Sequence, residues 1–302
     1  MDFKNYLKQN GYATTTIVSD QKMVLNFITW LDKQNLEIEN VRNVDLLAYI
    51  KSCQQREVQQ RTIERYIGAI RLFYNFKIST GTIKTNPANN IKIQGIKRKK
   101  LYHTFTTEEL HQIYNNYQPE NIPHNQGRNP NIHLLIEKRQ KVMLGLYVYQ
   151  GIQSSEMYKL EIDHIKLRAG QIEVPGTKRS DERALQLEAH QVLDVYDYVL
   201  QTRKEILAIS GQETEQLFVS PNGGNDQSNY VSALMRELKR QNSKIQNAQQ
   251  LRTSVIVKWL KLYNLREVQY RAGHRFISST EAFLINETEG LQEEVNQYHP
   301  LG

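Results

Sequence analysis

Apolar residues recur along the first 85 positions at spacings of three, four and seven, the signature of helices with one buried face. Over residues 14–33 the stripe is Ile17, Val24, Phe27, Ile28 and Leu31. A shorter stretch, 43–55, carries Leu46, Leu47 and Ile50. The clearest stripe lies in 58–76, where Ile63, Tyr66, Ile67, Ile70, Phe73 and Tyr74 share a face and Arg61 and Arg65 share the opposite one. Four or five such helices with short turns predict a small helical bundle. Beyond residue 104 helices are expected over about 107–117, 131–150, 154–159, 189–208, 227–243, 248–263 and 266–272. Thr106, with Glu109 three residues on, fits a capping box at the first of these. Alternation of period two is confined to 165–167, 171–174 and 184–187, which predict one small antiparallel sheet. The expected fold is mainly α, with an N-terminal helical bundle and a mixed second domain carrying a three-stranded antiparallel sheet.

Between the two patterns, Asn86-Pro87 stops a helix, and Lys97-Arg98-Lys99-Lys100 is the densest charge run in the chain. The organisation expected is a helical domain at 1–85, a basic linker at 86–104, a second domain at 105–285 and a tail at 286–302. With 302 residues, two domains can each bury a core. The net charge is +7, and residues 281–302 hold five Glu with no Lys, Arg or Asp, leaving +12 on the rest. A basic body with an acidic end points to a polyanion partner for the body. Glu289, Glu293 and Glu294 interleave with Leu291 and Val295, a pattern suited to an acidic helix. No apolar run approaches the ~20 residues of a membrane span, and the N-terminus has no signal pattern, so a cytoplasmic protein is expected. The one cysteine, Cys53, excludes an internal disulfide and a cysteine-based zinc site.

Four short runs carry candidate chemistry. Arg252 closes Gln249-Gln250-Leu251-Arg252, Gly273-His274 follows 22 residues later, and Phe283 stands nine residues beyond the His. Upstream lie Gly151-Ile152-Gln153-Ser154-Ser155-Glu156 and Gly176-Thr177-Lys178, the latter before Glu182-Arg183-Ala184-Leu185-Gln186-Leu187. In order and spacing these runs resemble the tyrosine recombinase (phage integrase, Xer-like) family. Its motifs read Thr-Gly-Leu-Arg-x-Ser-Glu, a hairpin Lys, His-x-x-Arg, Leu-Gly-His and Tyr. The resemblance covers both domains and implies a SAM-like core-binding domain followed by a catalytic domain.

In that family a tyrosine attacks the scissile DNA phosphate, forming a 3′-phosphotyrosyl link without metal or cofactor. Carried over, Arg252 would bind phosphate oxygens with its planar fork, His274 would hydrogen-bond the phosphate or move a proton, Lys178 would protonate the leaving oxygen with Arg179 as rival, and Glu156 would orient the site. This chain departs from the pattern at three places. Gln153 stands for the first arginine, Gln249 for the histidine and Phe283 for the nucleophile. Phe has no nucleophilic atom, and Tyr270 and Tyr298 are poorly spaced to replace it. Either a hydroxyl has been removed to trap a DNA complex, or the chain is a naturally inactive relative acting as a DNA-binding regulator or architectural partner. A type IB topoisomerase shares the chemistry and fits the compact bundle and acidic tail less well. The partners implied are double-stranded DNA, touched by Arg61, Arg65 and Lys97, Arg98, Lys99 and Lys100, and further copies of the chain: a dimer on one site, a tetramer in the synapse, the tail docking on a neighbour.

Overall fold

A computed structural model describes residues 2–95, 102–121, 129–177, 180–224 and 227–284. The chain divides into two compact units, Met1–Lys100 and Leu101–Gly302.

The first unit is helical: α1 (Phe3–Gln9), α2 (Thr14–Lys33), α3 (Asn43–Gln55) and α4 (Gln60–Ser79). The striped faces of α2 and α4 pack together, burying Phe27, Leu31, Ile63, Ile67 and Ile70 with Leu46, Tyr49 and Cys53 of α3. A second, smaller cluster joins Val24 to Phe73 and Phe76. The chain after α4 does not leave this unit at once. Ala88 and Ile91 belong to its core. Arg71 on α4 donates to the carbonyls of Ala88 (3.1 Å) and Ile91 (2.9 Å), while the Asn86 amide donates to Asn75 Oδ1 (2.7 Å). Residues 86–91, read from composition as linker, are thus stapled to the helical bundle. The run from Lys97 to Lys100 and the tail from 285 onward lie outside the described residues.

The second unit opens with α5 (Thr107–Asn116), whose Thr106 and Glu109 close the capping box in both directions. Helix α6 (Pro130–Val148) is buried on nearly every side, which forces its polar residues to find partners inside. Lys141 donates to the carbonyls of Tyr114 and Tyr117, and Arg139 donates to Val219 O at 2.6 Å while lying over the Tyr230 ring. A tight turn leads to α7 (Ser154–Met157). The sheet follows: β1 (Ile165–Lys166), β2 (Gln171–Val174) and β3 (Arg183–Gln186), antiparallel in that order, with Val174 opposite Arg183. Ile172, Val174 and Leu185 point into the core, and by alternation Arg183 points the same way.

The segment expected as one helix over 189–208 is α8 (Ala189–Asp197) and α9 (Arg203–Ser210), joined by a π-helical turn over Tyr198–Thr202. Helices α10 (Gln227–Gln241), α11 (Ala248–Leu262), α12 (Leu265–Ala272) and α13 (Ile277–Glu281) complete the unit. Among the described residues no helix is long and apolar enough to cross a membrane.

Candidate active site

Four elements bring charged side chains to one buried point. Glu156, in the single turn of α7, is fully buried. Its Oε2 accepts from the Gln153 backbone N–H at 2.8 Å, closing that turn. From β3, Arg183 lays a two-pronged guanidinium on the same carboxylate, Nη1 to Oε1 at 2.9 Å and Nη2 to Oε2 at 3.0 Å. The remaining prong, Nε, donates to Arg271 O at 2.7 Å. Arg252, on the second turn of α11, approaches Glu156 Oε2 only to 3.8 Å. Its guanidinium is held instead by the Gly151 carbonyl and by Ala272 O at 2.6 Å. Rows of buried neighbours on α11, from Leu251 through Ile256, hold its backbone rigid.

His274 completes the chain of contacts. It follows Gly273, which ends α12 in the left-handed conformation at φ +65°. Its Nε2 lies 3.4 Å from Arg252 Nη2, and its Nδ1 lies 2.9 Å from Oγ1 of the buried Thr280. The Phe283 ring stacks on the imidazole, centroids 5.6 Å apart and planes 17° from parallel. Arg252, His274 and Phe283 therefore form one contact path, although its ends are 31 positions apart in sequence.

Charge is unbalanced here. Two guanidiniums, 0% and 2% exposed, face one carboxylate. Burial pushes the Glu156 carboxyl up, but the Arg183 hydrogen bonds and charge, with Arg252 behind them, outweigh it and hold the group below its ordinary range. Burial and the Arg183 charge bring Arg252 down to about 10 against the pull of Glu156. His274 is brought down to about 4, by burial first and by Arg252 and Arg183 next, so its imidazole is neutral at pH 7. The surplus of positive charge, with a neutral imidazole beside it, favours an anion as its partner.

The other sequence-derived candidates distribute unevenly. Gln153 is half-buried, and its side-chain oxygen accepts from Ser155 at 3.4 Å. Gln249 is exposed; the inward residue is its neighbour Gln250, which ties His103 O and Lys244 O to α11. Lys178 and Arg179 lie outside the described residues. The described residues on either side of them are tied to the segment after α12: Asp181 N donates to Gly273 O at 3.0 Å, and Arg275 donates to Asp181 Oδ1 (3.2 Å) and Thr177 O (3.1 Å). In the first unit Arg61 is exposed, while Arg65, also exposed, leans on Ser19 and on Asp20 at 3.7 Å. Arg183 and Thr280 were not among the candidates. An arginine at an inward position of a period-two strand was the available signal for Arg183; Thr280 offered none. No group of three or more metal-ligating side chains occurs among the described residues.

Both units of the chain match known proteins. Residues 1–81 match the model of the phage integrase N-terminal SAM-like domain, and residues 103–289 that of the phage integrase family. A tyrosine recombinase of Thermosipho africanus is 26% identical over 292 residues, covering 93% of either chain. Tyrosine recombinase XerC of Mannheimia succiniciproducens is 26% identical over 306 residues, covering 98% of this chain and 95% of the relative. Among solved structures, the XerH site-specific recombinase bound to palindromic difH substrate superposes with a TM-score of 0.71 at 18% identity, over 92% of this chain and 78% of that one. The Tn1549 transposon integrase in complex with transposon right end DNA gives 0.63 at 14%, over 96% and 98%.

Proposed function

The chain belongs to the phage integrase family, and on that premise we propose that it binds double-stranded DNA as a tyrosine recombinase does but, as written, does not cut it. The observation that carries this reading is the Phe283 ring stacked on His274, which is itself in contact with Arg252. A phosphoryl transfer at this point needs an oxygen to attack phosphorus, a donor set for the non-bridging oxygens and an acid for the leaving 5′-oxygen. Arg252 and the neutral His274 suit the second requirement, and the positive surplus suits the charge. Phe283 offers a ring of nearly the shape of tyrosine with no atom that can form the ester bond.

Two further positions weaken transition-state stabilisation. Gln153 and Gln249 keep a hydrogen-bond donor and give up a charge or a titratable nitrogen. Loss of one preorganised donor typically slows such reactions by about 10²–10³. With both replaced and the nucleophile missing, the chain suits the role of a DNA-binding partner in recombination. It would sit on its site as a dimer and in the synapse as a tetramer, with Lys178, Arg179, Arg61, Arg65 and the Lys97 to Lys100 run on phosphates. A second reading has Phe283 as the single lesion of a strand-exchange enzyme; the preserved line of Arg252, His274 and the ring at 283 supports it.

Restoring the hydroxyl separates the two. F283Y is incubated with a nicked suicide duplex whose sequence has been selected by binding from a random pool. No denaturation-resistant adduct, with binding intact, supports the non-cutting partner. An adduct supports the enzyme. Absence of binding to any duplex refutes both.

A further inference from the structure

We propose that Arg183 is a positioning residue, which keeps Arg252 against His274 by occupying both oxygens of Glu156. The inference rests on the reading of Arg252 and His274 as phosphate ligands, but the contacts that carry it are internal to the protein. Glu156 has two oxygens, and the Arg183 fork takes one with each terminal nitrogen, at 2.9 and 3.0 Å. The Gln153 N–H adds a second bond to Oε2. Arg252 is left 3.8 Å away and spends its donors on the Gly151 and Ala272 carbonyls, which sets Nη2 3.4 Å from His274 Nε2.

These alternatives are unequal in strength. A carboxylate, carrying a full opposite charge and two acceptor oxygens, attracts a guanidinium more strongly than a neutral carbonyl does. With Glu156 unoccupied, Arg252 would swing onto it and give up Ala272 and His274. Arg183 prevents that capture. It has no contact with solvent, so it cannot itself touch DNA. Its own placement is over-determined by Arg271 O at 2.7 Å and by the bare face of Gly273. A Cβ there would stand 2.5 Å from Nη1. Lysine could supply the charge but not the planar fork that covers both oxygens and reaches Arg271 as well.

The test reads His274 by NMR in the full chain, with 13C,15N-labelled histidine and assignment by the signal lost in H274Q. The variants are R183Q, R183K and R183Q/E156Q. If Arg183 holds Arg252 in place, R183Q and R183K both release it, and the His274 midpoint rises from about 4 by about one pH unit or more, with a change of tautomer. Removing the carboxylate as well leaves nothing to draw Arg252 away, so the double variant returns toward the wild-type midpoint. Wild-type His274 signals in R183K would overturn the proposal, because charge alone would then suffice. Unchanged signals in both single variants would overturn it as well, reducing Arg183 to a packing role. Should R183Q fail to fold, R183K and the double variant still decide. No DNA enters the measurement, so a failure of the DNA-binding reading shows up separately, in the duplex experiment above.

Discussion

Acidification should destabilise this fold through His274, and the size of the effect follows from its surroundings. The imidazole is 9% exposed, faces the guanidiniums of Arg252 and Arg183, and is brought from an ordinary 6.5 down to about 4. Only Glu156 opposes the shift. Between these two values the unfolded chain takes up a proton that the folded chain refuses, so stability falls as the pH drops through the window and levels off below about 4. At about 1.4 kcal/mol per tenfold difference in proton affinity, the full effect is about 3 kcal/mol, of which about 2 is lost by pH 5. Urea denaturation of wild type and H274Q at intervals from pH 7.5 to 4 isolates this contribution, because every other titrating group is common to both. The wild-type curve should fall more steeply between pH 6.5 and 4, converging on that of the variant by about 2–3 kcal/mol. Parallel curves would refute the argument, since they would mean His274 takes up its proton as freely folded as unfolded.

Other perturbations test separate parts. E156A leaves two buried guanidiniums without a counter-ion and should destabilise by about 3–5 kcal/mol in chemical denaturation; a loss below about 1 would contradict the buried pairing. R71A removes two hydrogen bonds to the segment after α4 and should lower stability by about 2 kcal/mol, with residues 86–91 gaining amide exchange while α2 and α3 stay protected. Duplex affinity should fall about 10³-fold or more between 50 and 200 mM salt if some six phosphates are contacted; a flat response would refute the electrostatic grip.

Much of this architecture is legible in the sequence because its helices are half-buried. On α2 and α4 the stripe of Ile17, Val24 and Phe27, or of Ile63, Ile67 and Ile70, is the packing surface itself. Where burial is complete the pattern gives out: α6 hides Glu137, Arg139 and Lys141 beside its leucines, so no face stands out. The π turn over Tyr198–Thr202 has no periodic signature, and the one-residue shift of the third strand brings Arg183 into register opposite Val174. Residues 86–91 look like linker because Asn and Pro stop helices, yet Arg71, far upstream, supplies the donors that fix them. The site shows the same division. Resemblance to the family's motifs in order and spacing singled out Arg252, His274 and Phe283, whereas the Arg183 fork depends on a strand meeting a turn 27 residues earlier, a relation that only the tertiary fold creates.

Gly273 ties two positions of the chain into a single hereditary unit. The space its missing side chain leaves is occupied by the Arg183 guanidinium, so helix termination and carboxylate neutralisation draw on one and the same gap. A methyl group at 273 would have to displace the Arg183 guanidinium, and displacing it loosens the grip on Glu156.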